Sequence, residues 1–436
     1  MTTKPLKETR IEHLSHDGRG IARIDGKTTF IEGALSGERI YFHYTKRHAN
    51  FDEGVVDEIL EAHPSRQIPK CKHFGICGGC SLPYMDSEHQ IEHKQKTVIE
   101  FLRREGIEPE EILTPLASHP WGYRRKARLS VKYLEKKNQM LVGFREKNGR
   151  FVSAIKRCEI LHPNIGHLIE SFSDLFLALT TRDQIPQMEI AVTQTETAII
   201  IRHLSPMPES DLKKIREFCH TNKIKLYLQP KGLDSITLDW PSDADPLMTE
   251  TLSDYGLQLK FMPHQFIQVN AGINQRMIMQ AIEWLNVQAS DRILDLFCGI
   301  GNFTLPIAKF CNNVVGVEGE FTTVEQAKAN AVLNNIDNAY FYCDDLSAAE
   351  YNSPWALNTY DKILLDPPRV GAKTVIPWIQ KWKAKEILYI SCNPATFARD
   401  AKALINLGYK LVKVGVLDMF PHTTHIETMV LFSRDE

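Results

Sequence analysis

Beyond about residue 261, short apolar segments alternate with helix-like ones, and segment after segment ends in an acid or a nucleophile. Arg292–Leu296 carries Asp295 and runs into Phe297-Cys298-Gly299-Ile300-Gly301-Asn302. Residues 314–317 lead to Glu318, nineteen positions beyond Gly299. Asp344-Asp345 follows Ala339–Cys343, Asp366-Pro367-Pro368-Arg369 follows Lys362–Leu365, and Ser391-Cys392-Asn393-Pro394 follows 387–390. Strands alternating with helices specify a doubly wound, Rossmann-like α/β sheet, whose ligands sit beyond the carboxyl ends of its strands. The glycines fit either a close ligand approach or a structural tight turn. Dinucleotide dehydrogenases share this logic, but the third glycine of their fingerprint is Thr304 here. Successive carboxylates favour a cationic, adenine-bearing ligand over one led by a pyrophosphate.

A chain of 436 residues calls for two or three domains. With 43% apolar and 24% charged residues, each can bury a core. Residues 1–65 show short apolar runs broken by glycine turns at Gly18, Gly26, Gly33 and Gly37. They read as a small OB-like β-barrel or as an irregular β-rich extension. Residues 66–260 read as an α+β middle domain, with helices near 86–105 and 165–180 and strands near 124–133, 188–193 and 198–203. Residues 261–436 form the α/β domain. The polar stretch 1–10 lacks a signal-peptide core, and no apolar run approaches the roughly 18 residues of a membrane span, so a cytoplasmic protein is expected.

The net charge of −2 hides an asymmetry. Residues 121–150 hold ten Lys/Arg against Glu135 and Glu146, whereas 290–366 hold eleven acids against four basic residues. A basic front points to a polyanionic partner. If 124–128 is a strand, Arg124, Lys126 and Arg128 share one face and form a stripe for phosphates; the alternative is a solvated strand. Cys71-x5-Cys77-x2-Cys80, with Cys158 as a fourth thiol, suits zinc or a [4Fe–4S] cluster, and spacing leaves both open. Cys392, just past a strand, is placed for nucleophilic attack. Cys219, Cys298, Cys311 and Cys343 are read as inert.

Asp-Pro-Pro-Arg, Ser-Cys-Asn-Pro, His425-Ile426-Glu427-Thr428 and Phe266-Ile267-Gln268-Val269-Asn270 together resemble the RNA uracil-C5 methyltransferase family, a branch of class I S-adenosylmethionine-dependent enzymes. The resemblance implies Gln268, Phe297, Asn302, Glu318, Asp345 and Asp366 as contacts to S-adenosyl-L-methionine. It implies Cys392 as nucleophile, Glu427 as general base, and Phe266 as a residue packing on the target base. It also implies a [4Fe–4S] cluster on Cys71, Cys77, Cys80 and Cys158. Residues 14–22 resemble the TRAM domain, an RNA-binding module. The combined layout resembles members that methylate uracil 1939 of bacterial 23S ribosomal RNA, the tRNA uracil-54 members being expected to lack barrel and cluster. A monomer with 23S ribosomal RNA as its partner, and no obligate protein partner, is expected. Two rivals stand beside this reading. A radical methylthiotransferase also joins TRAM, cluster and cofactor, but uses Cys-x3-Cys-x2-Cys; an inactive RNA-binding protein would have no reason to keep Cys392, Glu427 and the acid series.

Overall fold

The computed structural model describes residues 6–147 and 149–435, so the first residues of the polar N-terminal stretch lie outside the described residues. At the front, Lys7–Arg10, Arg39–Arg47, Phe51–Glu61, Lys27–Glu32, Gly20–Ile24 and His13–Leu14 form one six-stranded sheet in that spatial order. It closes over Ile11, Ala22, Ile31, Ala34, Ile40 and Phe42. Gly54 is required there, because a Cβ would stand 2.7 Å from the Phe42 ring.

The middle of the chain builds a second six-stranded sheet, ordered Thr237–Trp240, Ile224–Gln229, Thr197–Arg202, Gln187–Val192, Lys126–Leu134, Gln139–Gly143. Helices Ile169–Leu177 and Glu209–Thr221 cover it through Phe172, Phe176, Ile215 and Cys219. This is the α+β arrangement that the sequence predicts.

The third sheet has eight strands, ordered Ala339–Cys343, Asn313–Glu318, Arg292–Leu296, Lys362–Leu365, Glu386–Ser391, Glu427–Ser433, Lys410–Leu417, Glu111–Ile112. The first five are parallel, and Glu427–Ser433 runs antiparallel to both of its neighbours. The strand order reverses between Arg292–Leu296 and Lys362–Leu365, so a crevice opens there, where doubly wound sheets take their ligands. Among the described residues, no helix is long and apolar enough to cross a membrane.

One element departs from the expected layout. The helix Ser87–Arg104, assigned above to the middle domain, packs on Pro394–Asn406 and Lys410–Leu417 of the third sheet. Asp86 caps it by accepting from the His89 backbone amide at 2.9 Å. Its face of Ile91, Val98, Ile99 and Leu102 joins the same core as Ile387, Tyr389 and Val430. The short strand Glu111–Ile112 then edges that sheet. An amphipathic helix shows which of its faces is buried but not against which neighbour, and a two-residue strand leaves no pattern to read.

The same helix carries Lys94, buried at 1% exposure, whose Nζ donates to Asp418 Oδ1 at 2.7 Å and to the Phe420 carbonyl at 3.0 Å. Replacing Lys94 with Ala should destabilise the protein by about 3–5 kcal/mol, because Asp418 is left buried and unpaired. The double replacement Lys94→Met, Asp418→Leu should recover much of that loss. Urea unfolding of the single and double variants measures both; a double variant as unstable as Lys94→Ala would contradict this account.

Candidate active site

The strand Arg292–Leu296 ends in a strained turn. Phe297 takes φ +66°, unusual for a residue with a side chain, and both Phe297 and Cys298 donate their amides to the Val317 carbonyl. Gly301 follows at φ +95°, where even a Cβ would press on Leu305 at 3.0 Å. The turn opens onto a cavity of about 490 Å³, lined among others by Gln268, Phe297, Gly299, Asn302 and Asp366. Four of the six expected cofactor contacts are therefore brought together. Glu318 joins from the next strand by accepting from the Gly299 amide at 3.1 Å and the Gly319 amide at 2.7 Å. Asp345 stands apart from this lining: it is exposed and accepts from the amide and hydroxyl of Ser347. Its neighbour Asp344 is committed to Ser353 and to the Trp355 indole.

Asn302 is fixed by a reciprocal amide pair with Asn274, both bonds 2.9 Å. A buried Arg125–Glu250 pair forms part of the cavity wall, and Arg125 Nε donates to the Gln268 carbonyl at 2.8 Å. Neither was anticipated. Arg125 lay inside the basic run, and nothing local marks the one arginine that turns inward.

The residues expected to be catalytic, Cys392 and Glu427, lie near Asp366 and Arg369 at the strand ends. In the antiparallel pairing of Glu386–Ser391 with Glu427–Ser433, Ser391 faces Thr428. Cys392 follows Ser391 directly beyond the strand, within reach of the charge of Glu427. Burial pushes the Cys392 thiol up to about 11, reinforced by the negative charges of Glu427 and Asp366 and opposed by Arg369. Burial likewise drives Glu427 well above the usual carboxylate range, with Asp366 adding to the rise and Arg369 opposing it. Asp366 is raised to about 7 by burial and by Glu318. One thiol and two carboxyls thus share a dry site in which each resists ionisation. Arg369 also stitches the loops together: its carbonyl accepts from Asn393 Nδ2 and Thr396 Oγ1, each at 3.1 Å. Phe266 lies on the lining of the cofactor cavity and is 71% exposed.

In a separate cavity, Cys71, Cys77, Cys80 and Cys158 lie together with His73, Phe144 and Ile160. Burial raises the Cys77, Cys80 and Cys158 thiols, Cys158 to about 11, and the cysteines' mutual charges raise them further. Among the described residues, no group of three or more His, Cys, Asp or Glu side chains is arranged to hold a single metal ion.

The basic stripe needs correcting. Residues 126–134 do form a strand, with Lys126 and Arg128 on the face opposite Ala127 and Leu129. Lys126, however, points its Nζ at the carbonyls of Pro263 and Gln265, each at 2.5 Å, and burial lowers it to about 8. Arg128 pairs with Glu189 at 2.8 Å, and Arg124 Nε is buried without a partner. Alternation was read correctly, but it does not show that a lysine's long stem has carried its charge onto the protein's own backbone.

The family described as tRNA (Uracil-5-)-methyltransferase matches residues 87–435. The chain belongs to this family. A TRAM domain matches residues 7–56. Curated relatives named 23S rRNA (uracil(1939)-C(5))-methyltransferase RlmD are similar over nearly the whole length. That of Hahella chejuensis is 47% identical, covering 97% of this chain and 96% of its own. Those of Francisella tularensis subsp. novicida and Legionella pneumophila are 48% and 46% identical, each covering 98% of this chain and 96% of their own. The fold matches the crystal structure of the Pyrococcus abyssi tRNA (uracil-54, C5)-methyltransferase in complex with S-adenosyl-L-homocysteine, with a TM-score of 0.73 at 22% identity. That match covers 98% of this chain and 100% of the other.

Because its thiol is raised to about 11, Cys392 of the free protein should alkylate slowly with iodoacetamide at pH 7. The rate should climb by about tenfold per pH unit toward pH 10, since only the thiolate reacts. Peptide mass spectrometry at Cys392 reads this directly. A rate already flat above pH 7 would mean an activated thiol in the resting site.

Proposed function

We propose that the protein methylates C5 of one uridine in 23S ribosomal RNA, the counterpart of uracil 1939, with S-adenosyl-L-methionine as donor, acting as a cytoplasmic monomer. The observation that carries the reading is the convergence of Cys392, Glu427 and Asp366 at the strand ends, where the charges of both carboxyls reach the thiol and Asp366 lines the switch-point cavity. The close similarity to relatives named for ribosomal RNA favours that substrate over tRNA.

The residues fit the cofactor. Its adenosyl part would lie along Phe297, Gly299 and Asn302, with its ribose at Glu318, which joins the lining through the Gly299 amide, while Asp345 stands apart from it. The bound cofactor supplies an electrophilic methyl group on a positively charged sulfur. A positive charge in the crevice favours the ionised forms of Asp366, Cys392 and Glu427, which burial alone holds back. Cys392 sulfur, as thiolate, adds to C6 of the flipped uracil, and the electron pair of the C5–C6 bond moves into an enolate. C5 then takes the methyl group. Glu427 removes the remaining C5 proton, the C5–C6 double bond re-forms, and the carbon–sulfur bond breaks to return the thiolate. Phe266, exposed beside the crevice, is placed to pack on the uracil once it has left its stack, a departure that costs a few kcal/mol.

The four thiols around one cavity support a [4Fe–4S] cluster held by Cys71, Cys77, Cys80 and Cys158. Four thiolate ligands leave no open coordination position on the irons, so its contribution is to folding or RNA binding rather than redox chemistry. Protein purified without oxygen should be brown and contain about four irons. Cys77→Ser should bleach it and lower the soluble yield. Colourless protein with stoichiometric zinc would replace the iron assignment.

Mass spectrometry of 23S ribosomal RNA from cells lacking the protein should reveal one missing methyl group, restored by the wild-type chain. An unchanged RNA would refute the substrate. Cys392→Ala and Glu427→Gln should both abolish turnover but differ on denaturing gels with labelled RNA. Glu427→Gln should trap a covalent protein–RNA band, because addition and methyl transfer proceed while the C5 proton stays; Cys392→Ala should trap none. Turnover by Cys392→Ala would remove the whole addition–elimination scheme.

A further inference from the structure

Between Lys410–Leu417 and Glu427–Ser433 runs an irregular strap, residues 418–426, that delivers Glu427 to the site. At its centre, His422 is fully buried with φ +64°, a conformation costly for a residue with a side chain. Its backbone amide donates to Gln90 Oε1 at 2.7 Å, and its ring Nδ1 lies 3.2 Å from Gln90 Nε2. Its carbonyl accepts from the amides of Ser81 and Leu82, at 2.9 and 3.0 Å, and its ring stacks on Trp121 at 3.7 Å. Thr424, two residues on, donates its amide to Ser81 Oγ at 3.1 Å. Gln90 Nε2 also donates to the Leu82 and Met85 carbonyls, so one buried amide ties the helix, the exit of the cysteine loop and the strap together.

We propose that Gln90 is a positioning residue for the proton-removal step: through His422 it fixes the strap that runs directly into Glu427, while its hydrogen bonds reach neither Glu386–Ser391 nor Pro394–Asn406, the segments that flank Cys392. The strap needs this clamp because its left-handed residue and its buried backbone groups have no ladder of their own. Glu427 takes the end of the strap as its entry into the ladder beside Leu417, whereas Cys392 follows Ser391 with no such segment before it. Loosening the latch therefore slows elimination and spares addition. The proposal rests on the reading of Cys392 as nucleophile and Glu427 as base.

The test separates the two half-reactions in the full-length protein. An RNA fragment bearing 5-fluorouridine has no C5 proton to lose, so the rate at which its covalent adduct forms reads addition and methyl transfer alone. Turnover of the ordinary uridine fragment includes proton removal. For Gln90→Leu, adduct formation and cofactor affinity should stay near wild type while turnover falls by about tenfold to a hundredfold, the scale of a misplaced catalytic group. The uridine adduct should then accumulate on denaturing gels. Ser81→Ala removes only the Thr424 contact and should show the same split at smaller size, reversed by Ser81→Thr; this series decides the matter if Gln90→Leu does not fold. Equal losses in adduct formation and turnover, or unchanged turnover, would overturn the latch while a normal wild-type adduct leaves the mechanism standing. A wild-type protein that forms no fluorinated adduct would overturn the addition–elimination reading and the latch with it.

Discussion

The chemistry hangs on the register of one strand pair. Because side chains alternate along a strand with a period of two, a slip of one residue between Glu386–Ser391 and Glu427–Ser433 would turn Glu427 to the other face of the sheet. The register is held by what surrounds it. Ile387, Leu388, Tyr389 and Ile390 are all fully buried, as are Met429, Val430 and Phe432 opposite them, so a slip would draw half-buried Ser433 into an apolar position. The antiparallel insertion of this last strand into an otherwise parallel set is what allows two loops to meet. A parallel strand would have delivered its beginning to the other edge of the sheet.

Burial around that pair creates an electrostatic problem whose solution is functional. Asp366, Glu427 and Cys392 are each raised by desolvation, and Asp295, buried behind them at the same strand ends, is raised to about 7 with one carboxyl oxygen unpartnered. Only Arg369 opposes the trend for both the thiol and Glu427. Such a site favours a ligand that brings positive charge with it, as the succession of strand-end acids already implied. It also keeps the nucleophile quiet until that ligand arrives, which protects a half-buried thiol from adventitious reaction.

The sequence made the chemistry more legible than the assembly. Strand-end acids, the glycine turn and the Ser-Cys-Asn-Pro segment are local, and local periodicity places them at the carboxyl edge of a parallel sheet, where the structure finds Phe297, Asn302, Asp366 and Cys392. Long-range partners were not legible. Nothing near Arg125 announces Glu250, and nothing near Lys126 announces the carbonyls of Pro263 and Gln265. The helix Ser87–Arg104 was read correctly as a helix yet placed in the wrong layer, because its amphipathic face is compatible with any apolar surface. Asp345 shows the converse limit: a carboxylate in the right place along the strand order stands outside the cavity, held by Ser347.

The strap before Glu427 explains why the front of the chain is needed at all by a site built in its last third. A strand satisfies its backbone through its neighbours, and a helix through itself, but an irregular buried segment must borrow partners. Here they come from Lys94 on the long helix, Ser81 and Leu82 just past the cysteine loop, and the Tyr123 hydroxyl, which donates to the Pro421 carbonyl at 3.0 Å. The barrel closes the arrangement from outside: Gly18 lies so near Leu82 and Thr424 that a Cβ would stand 2.8 Å from each. The parts of the molecule that resemble RNA-binding appendages are thus in contact with the segment that carries the base. Displacement of the barrel or the cysteine loop would reach Glu427 through the strap, which touches both.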